Sequence, residues 1–313
     1  MSRTAVVALG GNAFIGAGRT GTYDEQTRNV TAMAQTVWAL RRAGWNVVVV
    51  HGNGPQIGNL AIQQDEGAAL VPPQPLFSLD AMTQGQLGSM IAMALHGAAR
   101  PDRPEIAALV THVEVSLDDP DFAVPHKPIG PFFSEPDAER LAQERGWMMT
   151  EDSGRGFRRV VPSPEPLQIV ESTTLRTLVD SGALVIAAGG GGVPVVSGPN
   201  GYTGIDAVVD KDYAAQVLAS SLEAEALVML TGVPHVLLDF GTPQSRAVAE
   251  LPVDEAERYL KEGQFPEGSM GPKIRAAIRF IRGGGRTAVI STPDGALGAI
   301  AEEDTGTRIV AGT

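Results

Sequence analysis

Residues 4–12 read TAVVALGGN, a short apolar run that ends abruptly in glycine. Residues 46–54 repeat the arrangement as NVVVVHGNG, and residues 184–192 repeat it again as LVIAAGGGG. A continuous apolar run of this length, bounded by turn residues, predicts a strand that is buried on both faces. We therefore expect several buried strands, each of which leads directly into a glycine turn.

The segments between these strands carry helical patterns. Residues 26–42 place Val30, Met33 and Val37 on one face, and Gly44 follows as a stop. Buried strands that alternate with amphipathic helices are typical of a parallel sheet covered on both faces. We predict an α/β fold, a three-layer sandwich around a largely parallel central sheet. Further helices are predicted at 56–64, 79–98, 171–181, 211–222, 253–262 and 269–282, and further strands at 106–110, 226–230, 236–238, 287–290 and 307–310.

The alternation of strands and helices breaks down in residues 118–166, which are rich in Pro, Phe, Trp and charged residues. We interpret this stretch as an insertion, a small protruding subdomain at about residues 114–166 that could act as a lid. The sequence SGPNG at 197–201 is typical of a boundary between lobes. The predicted organisation is an N-terminal lobe of residues 1–200, which carries the insertion, and a C-terminal lobe of residues 201–313.

The composition excludes several classes of function. The chain contains no cysteine, so disulfides and thiolate chemistry are absent. A net charge of −12 argues against non-specific binding of nucleic acid. No apolar run is long enough for a signal peptide or a membrane span, so we expect a cytoplasmic protein without a membrane partner. Only four of the 24 basic residues are lysine, namely Lys127, Lys211, Lys261 and Lys273.

The glycine turns are candidate anion sites. In open α/β sheets, ligands bind beyond the carboxyl ends of the strands. Glycine lets backbone N–H groups approach an anion, and a following helix N-terminus adds positive potential. A tight turn would explain any one cluster, but three clusters after buried strands favour anion binding. No glycine loop runs into Gly-Lys-Ser/Thr, and GGNAFIG at 10–16 does not match GxGxxG, which excludes a P-loop enzyme and disfavours a dehydrogenase.

Two of the lysines stand at predicted helix starts. Lys211 lies between Asp210 and Asp212, where Asp210 can cap the helix and a carboxylate can hold the lysine or Mg²⁺. Lys273 lies in a first turn for which Ser269 is the expected cap. A positive charge there is unfavourable unless a bound polyphosphate compensates it. A solvated lysine remains the alternative at both positions.

Lys127 and His51 cannot be assigned from the residues alone. Lys127 lies between His126 and Pro128 inside the insertion, where a surface lysine is the simpler interpretation. His51 ends a predicted strand beside the second glycine cluster. It could contact a ligand, or it could be a buried, hydrogen-bonded structural histidine. No pair among the five histidines has helical metal-ligand spacing.

Six short motifs follow one another along nearly the whole chain: VALGGNA at 7–13, HGNGPQ at 51–56, KPIGP at 127–131, AGGGG at 188–192 with Pro194, DKD at 210–212, and QF at 264–265 with GSMGPK at 268–273. In content and order they resemble the carbamate kinases of the amino-acid kinase family. The wider family typically has a lysine just before the first Gly-Gly, whereas Ala8 and Leu9 stand here. The KPIGP segment narrows the resemblance to carbamate kinases.

The resemblance implies the amino-acid kinase fold and a role for each motif residue; it assigns no metal ligands. Lys127 would reach into the site from the protruding subdomain, and Asp210 would organise the lysines. Lys127, Lys211, Lys273 and Asp210 would be catalytic; Gly10, Gly11, Asn12, Gly52, Asn53 and Gly54 would bind carbamate and the transferred phosphoryl group; Gly190, Gly191, Asp212, Val233, Phe240, Phe265 and Met270 would bind the nucleotide.

The resemblance further implies reversible phosphoryl transfer between ATP and carbamate, with Mg²⁺ as cofactor and a homodimer as the assembly. The products would be ADP and carbamoyl phosphate, and the reaction would run toward ATP in arginine or related nitrogen catabolism. Two alternatives remain open. One is another small-acid kinase of the same family, and the other is a catalytically silent regulator that binds a nucleotide on the same fold.

Overall fold

The computed structural model describes residues 3–10, 14–15, 21–152 and 154–312, so the predicted site residues Gly11 and Asn12 lie outside the described ranges. The strands are β1 Arg3–Leu9, β2 Trp45–His51, β3 Ile106–Ala108, β4 His112–Glu114, β5 Lys127–Phe133, β6 Met149–Glu151, β7 Phe157–Val161, β8 Gln168–Ile169, β9 Leu184–Ile186, β10 Val193–Gly198, β11 Gly201–Gly204, β12 Ala226–Leu230, β13 Val236–Leu238, β14 Arg246–Val248, β15 Glu250–Pro252, β16 Thr287–Ser291 and β17 Gly306–Val310. The helices are α1 Tyr23–Arg42, α2 Gly54–Gly67, α3 Leu76–Ala98, α4 Glu135–Arg145, α5 Ser172–Asp180, α6 Lys211–Ser221, α7 Val253–Lys261, α8 Met270–Arg282 and α9 Ala296–Ile300.

The central sheet has eight strands in the order β15-β17-β16-β12-β1-β2-β9-β3. Its neighbours pair in parallel except β16 and β17, which are antiparallel. The first two apolar runs of the sequence form the adjacent strands β1 and β2, with Leu9 opposite His51. Gly10 and Gly52, which follow these strands, therefore leave the sheet side by side at the same edge.

Successive residues of β1 face opposite sides of the sheet, as the two-residue period of a strand requires. Val6 and Ala8 belong to one core, which α5, α6, α7 and α8 cover. Val7 and Leu9 belong to a second core, which α1, α3 and α9 cover. Two helical layers enclose one sheet, and the predicted three-layer α/β sandwich is confirmed.

The residues at 197–201 form the tip of the antiparallel hairpin between β10 and β11. The central sheet continues across this point in the sequence, because β12 of the later half pairs directly with β1 of the earlier half. The division into lobes of residues 1–200 and 201–313 stays a prediction.

The inserted segment builds a sheet of its own. Strands β5, β7 and β6 pair antiparallel, and α4 connects β5 to β6. This small unit rests on α2, where Gly58 lies so close to Gly130 that a Cβ at Gly58 would come within 2.0 Å of the Gly130 Cα. No helix in the described ranges is both long and apolar enough to cross a membrane.

Candidate active site

A cavity of about 820 Å³ opens at the carboxyl edge of the central sheet. Gly10 follows β1 and Thr231 follows β12, and both line it, as expected for a ligand site in an open α/β sheet. The cavity wall contains ten of the residues predicted to be functional: Gly10, Lys127, Asp210, Lys211, Asp212, Val233, Phe240, Phe265, Met270 and Lys273.

Two lysines meet on the buried carboxylate of Asp212. Lys211 Nζ lies 3.1 Å from both carboxylate oxygens, and Lys273 Nζ lies 2.8 Å from Oδ2. Lys211 and Asp212 begin α6, whereas Lys273 comes from the first turn of α8. Asp212 therefore joins two helix starts into one charged cluster and holds the two ammonium groups in the cavity wall.

Asp210 makes a separate contact with the protruding subdomain. Its Oδ1 accepts a hydrogen bond from the backbone N–H of Asp212 at 2.9 Å, which caps α6 as predicted. Its Oδ2 accepts a hydrogen bond from Lys127 Nζ at the start of β5. Asp210 thus contacts one of the three lysines directly, and Asp212 contacts the other two.

The pKa values of this cluster are set by burial and by the neighbouring opposite charges. Burial acts to raise the pKa of Asp212, but Lys211 and Lys273 outweigh it and hold that pKa below its usual range. The pKa of Asp210 is likewise lowered, because Lys127 and Lys211 outweigh burial. Burial lowers the pKa of Lys273 despite Asp212, whereas Asp212 and Asp210 outweigh burial and raise the pKa of Lys211. Three ammonium groups and two carboxylates leave one net positive charge facing the cavity.

Helix α8 starts at the cavity without a side-chain cap. Ser269 occupies the N-cap position, but its side chain makes no capping hydrogen bond, so the prediction that Ser269 caps the helix is wrong. Ser269 and Met270 both line the cavity. The positive end of the α8 dipole and the Lys273 ammonium group therefore lie beside the same space, which suits phosphate oxygens.

The second glycine cluster lies beside the first. The N–H of Gly52 donates to the carbonyl oxygen of Leu9 at 3.3 Å, which places Gly52 next to Gly10. Helix α2 begins at Gly54 after Asn53, again without a side-chain cap. Gly10 itself has no room for a side chain, since a Cβ there would lie 2.9 Å from the carbonyl oxygen of Leu230. Gly52, Asn53 and Gly54 are not part of the cavity wall described above.

The third glycine cluster has a different environment from the one predicted. Gly190 and Gly191 were expected at the nucleotide, but neither lines the cavity. A Cβ at Gly190 would lie 2.2 Å from Asn53 Nδ2, and one at Gly191 would lie 2.5 Å from the Val209 carbonyl oxygen. Both glycines have positive φ, so the turn packs tightly against the elements around it and leaves no side-chain volume there.

His51 is fully enclosed. Its side chain is 1% exposed, its Nδ1 lies 3.2 Å from the Gly52 carbonyl oxygen, and Phe14 packs edge-on against its ring. Burial lowers the pKa of His51 to about 4, although the contact with Gly52 opposes this. His51 is therefore a neutral, buried histidine, and of the two interpretations left open by the sequence the structural one applies.

Part of the cavity lining is apolar. Val233, Phe240, Phe265 and Met270 form this part, and Phe240 is 65% exposed although it is a large aromatic residue. An aromatic ring that stands free beside a cavity offers a surface for stacking a planar base. The motif analysis missed Leu237 and His235, which also line the cavity, because isolated residues around a short strand carry no pattern of their own.

Asp80 is a further residue that sequence reasoning missed. It lies in the largely apolar helix α3, is completely buried, and accepts a hydrogen bond from Asn53 Nδ2. A single carboxylate in an apolar helical stretch was the one available signal. Its partner in the glycine turn is 27 residues away along the chain and could not be identified from spacing.

Known proteins give an independent comparison. The model of the amino acid kinase family matches residues 3–291. A carbamate kinase of Pyrococcus horikoshii is 44% identical over 99% of both chains, and one of Thermococcus kodakarensis is 45% identical over 98% of this chain and 99% of its own. The structure of carbamate kinase from Giardia lamblia bound to AMP-PNP superposes with a TM-score of 0.91 at 38% identity and full coverage of both chains.

The family match spans most of the chain, and the relatives match it from end to end. The structural alignment likewise runs over the full length of both chains. The chain therefore belongs to the amino acid kinase family, and within that family it groups with the carbamate kinases.

Proposed function

We propose that this chain is a carbamate kinase, which transfers a phosphoryl group reversibly between ATP and carbamate. The observation that carries the proposal is the cluster of Lys127, Lys211 and Lys273 on two carboxylates in one cavity wall. The named relatives support it over the full length of the chain.

The chemistry required of the chain is neutralisation and positioning. Phosphoryl transfer involves little covalent work by the protein, and charge spreads over the oxygens of the transferred group. Carbamate is itself an anion, so the reaction needs no general base. The obstacle is repulsion between an anionic nucleophile and an anionic phosphate. Compact ammonium groups fixed by Asp210 and Asp212 reduce that repulsion before the reactants meet.

We assign the phosphates to the lysine side of the cavity and the base to the apolar side. Lys211, Lys273 and the uncapped start of α8 would bind the phosphate oxygens. Phe240, Phe265 and Met270 would contact the base. Lys127 would contact the transferred group from the subdomain, and Gly10 with residues 52–54 would bind the small acid. Gly190 would act indirectly, by leaving room for Asn53, and Gly191 would pack against Val209.

We propose that Mg²⁺ binds to the site together with the nucleotide. In the part of the chain that the structure describes, no three His, Cys, Asp or Glu side chains stand together as metal ligands. A Mg²⁺ ion that enters with a nucleotide needs only one or two carboxylates besides the phosphates. Asp210 and Asp212 are the carboxylates in the cavity wall and fit that need. Bound there, the ion would neutralise charge on the phosphate oxygens.

We also propose that the reaction runs toward ATP in nitrogen catabolism, in a homodimer located in the cytoplasm. The resemblance of the motifs to carbamate kinases supports these finer statements. Size-exclusion chromatography with light scattering tests the dimer, since a monomer of 32.7 kDa and a dimer are readily separated.

The second candidate is another small-acid kinase of the same family. An assay of the purified protein with ADP and Mg²⁺ distinguishes this candidate from a carbamate kinase by which phosphate donor supports ATP formation. We expect carbamoyl phosphate to be a good donor and acetyl phosphate and N-acetylglutamyl phosphate to be poor ones. Efficient use of either of the latter two, without use of carbamoyl phosphate, would replace the proposal. Nucleotide binding without any turnover would favour a silent regulator.

A further inference from the structure

The side chain of Asn53 is held by two residues of helix α3. Its Nδ2 donates one hydrogen bond to Asp80 Oδ1 and a second to Thr83 Oγ1, the latter at 2.8 Å. Asp80 and Thr83 are completely buried and Asn53 is 2% exposed. We call these three side chains the Asn53 clamp. Both protons of the Asn53 amide are used within it.

Hydrogen-bond chemistry fixes the orientation of the amide. The Thr83 hydroxyl has one proton, and it donates that proton to the backbone carbonyl oxygen of Asp80 at 2.7 Å. Toward Asn53 the hydroxyl can therefore only accept, and only Nδ2 can donate to it. A flipped amide would point its oxygen at the Thr83 hydroxyl oxygen, which has no proton left to donate, and that bond would be lost. The Asn53 carbonyl oxygen, Oδ1, consequently points away from Thr83.

The third glycine cluster makes room for the clamp. A Cβ at Gly190 would lie 2.2 Å from Asn53 Nδ2 and 2.5 Å from Asp80 Oδ1. Gly190 also has a φ of +68°, which glycine adopts freely. Both the lack of space for a side chain and the positive φ therefore favour glycine at position 190, next to the clamp.

Asn53 Oδ1 is left as an open acceptor. In the described ranges, the buried side-chain atoms that lack any partner are Gln56 Oε1, Asp80 Oδ2 and Thr287 Oγ1, so Asn53 Oδ1 is not sealed off. Asn53 stands at the start of α2, beside the glycine turn that carries Gly10 into the cavity wall. An acceptor at this position suits a ligand that donates hydrogen bonds.

We propose that Asp80 and Thr83 are positioning residues, which present the Asn53 carbonyl oxygen to the amino group of the small acid. This inference rests on the proposed function and adds the basis of selectivity. The nitrogen of carbamate shares its lone pair with the carboxylate, so its N–H groups donate and do not accept. The methyl group of acetate offers no donor at the same place. A site built around a substrate N–H rejects an analogue without it by several orders of magnitude, because its polar group is left unpaired.

The test compares kcat/KM for carbamoyl phosphate and for acetyl phosphate, each with ADP and Mg²⁺. In the double variant Asp80→Leu, Thr83→Val the amide of Asn53 is free to rotate. We expect the preference for carbamoyl phosphate to fall at least about tenfold there, in line with the loss of a selective hydrogen bond. Asp80→Asn is the matched control, since its side-chain oxygen accepts at the same place, and its preference should stay that of the wild type. Burial raises the pKa of Asp80 despite the bond from Asn53, so a neutral amide is a close substitute.

An equal loss with both donors in the double variant would overturn the inference, because a purely structural role lowers both rates together. Loss of preference in Asp80→Asn would overturn it as well. A second readout does not depend on turnover or on folding of the double variant. The Asn53 side-chain amide protons, observed by nuclear magnetic resonance in the wild type and in Asp80→Asn, should exchange slowly with solvent. Rapid exchange in the wild type would refute the clamp, whereas absence of ATP formation from carbamoyl phosphate would refute the proposed function.

Discussion

Lys211 and Lys273 lie 62 residues apart in the chain and share the carboxylate of Asp212. The side chain of Asp212 is only 4% exposed, so its charge is tolerable only because both ammonium groups compensate it. The same carboxylate keeps two like charges in close proximity. A bound polyphosphate would take over part of that role, and it would find the lysines already in place.

Removal of the shared carboxylate should cost both stability and activity. In Asp212→Asn the two lysines lose the carboxylate that both contact, and breaking a buried ion pair from one side typically costs about 3–5 kcal/mol. We expect a loss of that size in the free energy of unfolding, measured with urea, together with a large loss of turnover. Asp254→Asn, which removes a 70% exposed partner of Arg282, is the control and should change stability by less than about 1 kcal/mol. Equal stability of the two variants would contradict the role of Asp212.

His51 should make the fold sensitive to acid. Its pKa is about 4 in the folded chain, below the ordinary value of 6.5, so the unfolded chain binds the proton more readily. The contribution of neutral His51 is therefore complete above pH 6.5 and is lost as the pH falls toward 4. The shift corresponds to about 3 kcal/mol.

The variant His51→Asn removes the titration and retains a donor toward the Gly52 carbonyl oxygen. Its unfolding free energy should be lower than that of the wild type at pH 7, and the gap should narrow by up to about 3 kcal/mol toward pH 4. Urea denaturation at a series of pH values measures this difference. A constant gap across the series would show that His51 does not titrate as the structure implies.

At the scale of elements, the repeated feature is a buried strand that leads directly into glycine. β1 and β2 bring two such glycines together, and α2 begins shortly after one of them. The insertion adds a different element, the sheet that contains β5, which presents Lys127 to Asp210. Its position depends on α2, because Gly58 and Gly130 are in close contact.

That contact should control the position of Lys127. In Gly58→Ala the new methyl group would come within 2.0 Å of the Gly130 Cα, so β5 has to move. We expect turnover to fall at least about tenfold, because displacement of a positioned group by about 1 Å costs up to 10²-fold. The nucleotide site lies on other elements, so the affinity for ADP should change little.

Gly67→Ala is the matched control, because it lies in the same helix and its new methyl group would meet nothing within 4 Å. We expect it to retain wild-type turnover. Steady-state kinetics gives turnover, and titration calorimetry gives the affinity for ADP. Wild-type turnover in Gly58→Ala would show that the contact does not position the subdomain.

The elements differ in how far the sequence predicts them. β12 was predicted at its observed bounds, and β1 and β2 within one residue at each end, because buried parallel strands form unbroken apolar runs. The strands of the insertion were not predicted, since they are antiparallel, partly exposed and interrupted by proline. The segment at 197–201 was interpreted as a boundary between lobes, and the structure shows a hairpin tip there.

For the candidate site, too, the sequence predicts local patterns but not contacts between distant elements. Asp210, Lys211 and Asp212 are adjacent, so a local pattern was enough to predict a charged helix start. Which carboxylate holds which lysine depends on contacts between distant elements. The resemblance implies that Asp210 organises the lysines, whereas in the structure Asp210 contacts Lys127 and Asp212 contacts the other two. The Asn53 clamp was missed for the same physical reason, because α3 and the glycine turn meet only in the folded chain.

On the scale of the whole molecule, a chain of net charge −12 has to attract anionic substrates to one place. The cavity wall provides the local exception, with three lysines against two carboxylates. Contributions come from the sheet edge, from α6 and α8, and from the inserted sheet, so the site exists only when all of them are assembled. The fourth lysine, Lys261, lies on the exposed side of α7, outside the cavity wall.

These four lysines allow the most direct test of the account. The measurement is the rate of ATP formation from ADP and carbamoyl phosphate by the wild type, by Lys127→Arg, Lys211→Arg and Lys273→Arg, and by the control Lys261→Arg. A forked guanidinium cannot replace a compact ammonium group in a tight cluster, so the three site variants should stay folded and lose about 10²-fold or more in turnover. The wild type and Lys261→Arg should form ATP at equal rates. Absence of ATP formation by the wild type, or wild-type turnover in all three site variants, would contradict the account.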